Sequence, residues 1–141
     1  MQDFKRLRVW QDGRALTVAI DEATRSIRPG DAPNLRSQLM RASMSISATV
    51  AEGAGRETRV DFARFVSMAI ASASEVEHHL EVCDDLGLIE RAELDRLVDR
   101  VTRLRRMLFG LRRTLLVKER EEAVRRDQAS RQRRRHPPLA D

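Results

Sequence analysis

Residues 90–120 read ERAELDRLVDRVTRLRRMLFGLRRTLLVKER. Leu94, Leu97, Val101, Leu104, Leu108, Leu111 and Leu115 recur there at alternating steps of three and four, the a/d spacing of a helix that buries one seam. The pattern holds for three heptads and predicts a helix beginning near Glu90. Gly110 interrupts it at a cost of about 1 kcal/mol relative to alanine, so a close contact is expected there. Beyond about Arg120 the seam fades, and QASRQRRRHPPLAD (128–141) reads as a disordered basic tail.

Working towards the N-terminus, three more helices follow. Thr58 and Asp61 stand as a capping box, with Asp where Glu or Gln is the stronger partner. Behind it Phe62, Phe65, Ala69, Ala73, Val76, Leu80 and Cys83 form a buried seam that Gly87 ends. A helix from near Pro33 to about Gly53 carries Leu35, Leu39, Ala42, Ile46 and Val50. Its interior, RASMSISATVAEGAGR (41–56), is built of small residues that let a neighbouring helix approach closely. Gly53 and Gly55 are read as its stop. The first helix spans about Leu7 to Ile27 on Trp10, Gly13, Leu16, Ile20, Ala23 and Ile27, and stops at Arg28-Pro29-Gly30-Asp31. Short links favour antiparallel neighbours. The chain is therefore read as an all-α, up-down-up-down four-helix bundle over 1–120, followed by a basic tail over 121–141.

Composition agrees. A chain of 141 residues supports one core. Aromatic residues make up 4% with no tyrosine, whereas sheets lean on aromatic and β-branched side chains. The four prolines, at 29, 33, 137 and 138, avoid the periodic stretches. Cys83 is the only cysteine, which excludes an intrachain disulfide and a multi-cysteine zinc site. MQDFKRLRVWQDG (1–13) lacks an apolar signal core, and no run approaches the roughly 18 apolar residues of a membrane span. A cytoplasmic protein with no membrane partner is expected.

The net charge of +5 is unevenly spread. Residues 58–89 carry two basic and six acidic side chains, whereas 90–120 carry ten basic and five acidic. Between Arg100 and Lys118 stand Arg100, Arg103, Arg105, Arg106, Arg112, Arg113 and Lys118, with no acid among them. The plainest reading is a solvated face whose long side chains shield the seam. Two functional readings stand beside it. In one, the arginine forks hold phosphate oxygens of RNA or DNA, joined by Arg131, Arg133, Arg134 and Arg135 of the tail. In the other, the basic helix of one subunit meets the acidic helix of the next. Val98, Phe109 and Leu116 favour the second: they share a stripe about 100° round from the leucine seam, which a single core cannot also bury. No aromatics interleave with the basic residues, which argues against sequence-specific single-strand recognition.

Catalytic and metal patterns are thin. Glu75 and His78 make a Glu-x-x-His spacing, but di-iron bundles need it on two helices. Glu75, His79 and Cys83 stand one turn apart, yet Cys83 also belongs to the apolar seam. Gly53 and Gly55 lack the Lys-Ser/Thr of a phosphate loop. Ser43, Ser45 and Ser47 have no histidine nearby in sequence and fit helix packing. Glu52 is placed part-buried at a small-residue helix end with Arg56 as partner; the plainer alternative is an ordinary i,i+4 ion pair. No cofactor, metal or catalytic residue is assigned.

These residues together resemble a known family. Leu7-Arg8-Val9-Trp10-Gln11, then Leu39, Arg41-Ala42 and Ser45-Ile46, lead to Ala51-Glu52-Gly53-x-Gly55-Arg56. Phe62, Phe65 and Ala69-Ile70-Ala71-Ser72-Ala73-Ser74-Glu75-Val76-Glu77 follow. Over about residues 4–115 this is similar to the four-helix bundle proteins encoded in intervening sequences of bacterial 23S ribosomal RNA. The resemblance implies a bundle that assembles into a ring, typically a homopentamer. It also points to relatives in diversity-generating retroelements, basic rings that bind a reverse transcriptase and nucleic acid. It implies no catalytic residue, and Trp10, Glu52, Gly53, Arg56 and Glu75 are structural positions in it. The arginine-rich tail has no counterpart there. The expectation is a non-enzymatic ring that binds RNA or a nucleoprotein; the alternative is a scaffold whose basic helix serves subunit contacts.

Overall fold

The computed structural model describes residues 3–135. A single 3-10 turn, Phe4–Arg6, precedes four helices: α1 (Arg8–Thr24), α2 (Leu35–Ala54), α3 (Arg59–Asp85) and α4 (Arg91–Arg135). No strand occurs among the described residues.

The ends follow from local chemistry. Asp3 caps the opening turn by accepting from the Lys5 amide at 3.1 Å, and the Gln11 amide group ties that turn to α1 by donating to the Lys5 carbonyl at 2.9 Å. Asn34, in the left-handed region at φ 67°, turns the chain into α2. The capping box forms as read: the Asp61 amide donates to the Thr58 hydroxyl at 3.1 Å, and that hydroxyl donates to the Asp61 carboxylate at 2.8 Å. Gly87, at φ 62°, ends α3 in a tight turn.

Residue pairs set the topology. Gly13 of α1 lies against Ser47 of α2, while Asp21 further along α1 pairs with Arg36 at the start of α2. Ser45 bonds Ser72 at 3.1 Å, and Gly53 touches Phe62 and Phe65. Asp84 meets Arg91 at 2.9 Å, Glu77 meets Arg105, and Arg59 meets Glu122 at 2.6 Å. Each helix therefore runs antiparallel to the one before it. α1 closes the bundle against α4, and neither diagonal pair approaches closely.

The core is the union of the predicted seams. Leu16, Ile20, Leu39, Ile46, Val50, Val76, Leu80, Val101, Leu104 and Leu108 are all but inaccessible. Truncating one such leucine to alanine costs about 2–5 kcal/mol. Several details differ from the sequence reading. Phe65 is only half-buried and Val66 fills the core instead. α2 ends at Ala54 with Gly55 as its C-cap, within a residue of the expected stop, but Gly53 is also a packing position, where an added Cβ would come within 2.6 Å of the Phe65 Cβ. Gly110 marks no contact, since nothing stands within 4 Å of such a Cβ.

The largest difference lies at the C-terminal end. The seam fades as read, and no described residue past Leu115 is buried. The backbone nevertheless stays helical through 121–135, where a disordered tail was expected. Helix propagation needs no apolar face once nucleated. This stretch is rich in Glu, Arg, Ala and Gln, favourable helix formers, with weaker ones only at Val124, Asp127 and Ser130. Arg126 bonds Glu119 at 3.0 Å and Arg131 pairs with Asp127 at 3.0 Å. Arg133, Arg134 and Arg135 oppose the negative end of the helix dipole. The tail residues 136–141 lie outside the described residues.

Candidate binding surface on the fourth helix

α4 has 45 residues against 27 in α3, 20 in α2 and 17 in α1. At 1.5 Å per residue it runs for roughly 65–70 Å, well past the bundle. Its last ties to the bundle lie at the α2–α3 corner, where Arg59 grips Glu122. This bond holds the Glu122 carboxyl below the usual carboxylate range, with Arg59, Arg126 and Arg125 adding attraction. Ala54, Phe62, Leu115 and Arg126 share that corner. From Asp127 to Arg135 every residue is exposed.

The predicted cations do not form one surface. At about 100° per residue, Arg106, Arg113 and Arg120 fall on the outward face, bordering the apolar stripe. Arg100 and Arg103 fall on the side of α1, and Lys118 shares the angular position of Arg100. Arg100, Arg103, Leu104 and Met107 line a groove of about 260 Å³ with Arg8 and Asp12 of α1. Arg103 is tied to Asp99 at 3.3 Å, and Arg105 is engaged with Glu77 of α3. Among the described residues, Arg106, Arg112, Arg113, Lys118 and Arg120 have no carboxylate within ion-pair distance. Arg131 is paired with Asp127, whereas Arg133, Arg134 and Arg135 stand exposed on the last turn.

The apolar stripe is partly filled in. Val98 and Leu116 pack part-buried against the core, but Phe109 stays half-exposed. Phe109, Leu116 and Val117 make the apolar part of a hollow of about 340 Å³, rimmed by Arg112, Arg113 and Arg120. Val117 and Val124 are exposed and extend the stripe outward. Sequence reasoning passed over both valines, which stand eight and fifteen residues from Phe109, about 80° and 60° round the helix from it. It also passed over the Arg59–Glu122 tie, which no local pattern signals.

The weighed catalytic groups resolve into structure. Ser43 and Ser47 donate back to carbonyls of their own helix, at 2.9 and 3.3 Å, while Ser45 bonds Ser72. Glu52 is exposed rather than part-buried, and forms the plain i,i+4 pair with Arg56 at 2.6 Å. Arg56 lies over the Phe65 ring at 4.4 Å. Trp10 packs edge-on to Phe4 at 5.1 Å with Arg14 above it at 4.8 Å. Cys83 is wholly buried and burial pushes its thiol up. The buried His79 Nε2 stands 3.5 Å from Glu75 without forming a hydrogen bond. No cluster of three or more metal-ligating side chains occurs among the described residues, and no described helix is long and apolar enough to cross a membrane.

Comparison with known proteins agrees with this architecture. A crystal structure of a protein of unknown function from the S23 ribosomal protein family of Bacteroides thetaiotaomicron VPI-5482 superposes with a TM-score of 0.68 at 21% identity. The alignment covers 73% of this chain and 96% of that one, a likeness of fold. No curated protein matches the chain significantly. The family profile described as 23S rRNA-intervening sequence protein matches residues 5–110, so the chain belongs to the 23S rRNA-intervening sequence protein family.

Proposed function

We propose that this protein is a non-enzymatic, cytoplasmic, homo-oligomeric bundle that holds RNA, or RNA within a nucleoprotein, along α4. The observation that carries this reading is the set of cations on α4 without carboxylate partners. Arg106, Arg112, Arg113 and Lys118 stand exposed in a segment with no acid between Arg100 and Lys118. An arginine that its own fold leaves unpaired is available to phosphate, and each phosphate neutralised releases counterions. The terminal turn adds Arg133, Arg134 and Arg135. DNA presents the same backbone charge and is held by the same contacts. A reverse transcriptase complex and a ring of five subunits are the partner and assembly that the family resemblance implies.

Titration of labelled RNA at low and moderate salt tests this. Affinity falls with salt at a logarithmic slope of about 0.7 per contacted phosphate for a single strand. A chain truncated after Arg120 and carrying Arg106→Glu and Arg113→Glu binds more weakly with a shallower slope. Salt-independent binding, or equal binding by that variant, overturns the reading. The exposed Phe109, Val117 and Val124 favour a second reading, a scaffold whose α4 serves subunit contacts without nucleic acid.

A further inference from the structure

We propose that the hollow on α4 receives the α3–α4 turn of a second copy of this chain, with Leu86 as the inserted side chain. The inference rests on the assembly half of the proposed function and names its contact. The turn is held firmly. The Gly87 amide donates to the Asp84 carbonyl and the Leu88 amide to the Cys83 carbonyl, both at 2.9 Å. It presents Leu86, an apolar side chain that its own subunit leaves 54% exposed.

Charge complementarity selects the occupant. Glu81, Asp85 and Glu90 lie within five residues of Leu86, are exposed, and have no cation within ion-pair distance among the described residues. The hollow offers the reverse: Phe109, Leu116 and Val117 at its centre, with Arg112, Arg113 and Arg120 equally unpaired at its rim. An exposed leucine ringed by carboxylates thus matches an apolar hollow ringed by guanidiniums. The two cannot meet within one subunit. Arg91, beside the turn, and Arg113 are 22 residues apart on the same unbroken helix, about 33 Å along its axis. The contact therefore joins different copies head to tail; such a contact repeats, forming a ring where its rotation closes and an open filament where it does not. The contact engages Arg112 and Arg113, whereas Arg106, Lys118 and Arg133, Arg134 and Arg135 lie outside the hollow's lining and stay free for phosphate.

The test is the mass of the full chain in solution by light scattering, with helix content checked by circular dichroism. Leu86→Glu disables the turn and Phe109→Glu disables the hollow. Both positions are exposed, so both variants fold. Each variant alone is expected at single-chain mass. Mixed in equal amounts they retain one good turn and one good hollow, and are expected to form a 1:1 dimer that grows no further. Arg113→Glu is expected to lose assembly, and Asp85→Arg combined with it to regain assembly. If the wild type assembles while these variants keep its mass, or if the mixture stays at single-chain mass, the contact is wrong and assembly uses another face. A single-chain wild type overturns both the contact and the ring.

Discussion

Gly53→Ala and Gly110→Ala make the same chemical change in two helices and are expected to act in opposite directions. At Gly53 the new Cβ would lie 2.6 Å from the Phe65 Cβ and 2.8 Å from the Phe62 Cδ2. The Phe62 ring can tilt away, but the Phe65 Cβ is fixed to the α3 backbone, so α2 and α3 must separate. Overpacking of this kind costs about 1–3 kcal/mol, and the upper half applies where a backbone has to move. Better helix propensity returns less than about 1 kcal/mol this near a helix end. The net expectation is a loss of about 1–2 kcal/mol. At Gly110 nothing lies within 4 Å, so only propensity changes, and stability rises by about 0.5–1 kcal/mol. The two variants should then differ by about 2 kcal/mol. With a urea slope of about 2 kcal/mol/M, their midpoints separate by about 1 M. The assay is urea unfolding followed by circular dichroism at one protein concentration, because assembly makes apparent stability concentration-dependent. A Gly53→Ala protein as stable as Gly110→Ala would refute the close approach of α2 and α3 at this point.

Three further expectations concern single groups. Leu104→Ala, at a core position 2% exposed, lowers stability by about 2–5 kcal/mol; a loss under 1 kcal/mol in the same urea assay contradicts the assigned seam. Cys83 is buried with its thiol pushed up, so a thiol reagent at neutral pH labels the native protein only as fast as it opens; complete labelling within mixing time contradicts that burial. Glu122 is held low by Arg59, so this pair contributes stability above the ordinary carboxylate range and loses it as pH falls through the depressed value. Arg59→Met weakens that pH dependence, leaving the part due to Arg126 and Arg125, and speeds amide exchange in residues 119–135 while leaving the core unchanged; identical exchange in wild type and variant argues against the tie.

The bundle was legible because burial is periodic. One seam per helix, a capping box at Thr58 and a turn at Gly87 are local patterns whose physics requires no knowledge of the rest of the chain. What escaped reading depended on partners distant in sequence. Gly53 reads as a stop beside Gly55, and only the presence of Phe65 makes it a packing position. Gly110 reads as a contact, and only the absence of a neighbour shows otherwise. The helical extension was missed because a fading apolar seam signals the end of burial, not the end of backbone hydrogen bonding. The cations of α4 were found by counting, but not their division between two faces, nor which of them Asp99, Glu77 and Asp127 already neutralise.

The unbroken run of α4 from the core to Arg135 has a mechanical consequence. Past the tie at Glu122 the helix is a shaft, and the angular phase of its terminal cations is locked to that of the bundle. Arg106, Arg113 and Arg120 repeat every seven residues, and Arg131 returns to nearly the same bearing eleven residues on. Inserting two alanines after Asp127 would leave every charge in place. It would lengthen the shaft by about 3 Å and swing Arg131 and Arg133 to Arg135 round by about 200°. A partner that reads only total charge would not register the change, whereas one that grips Arg113 and Arg131 together would lose half its hold.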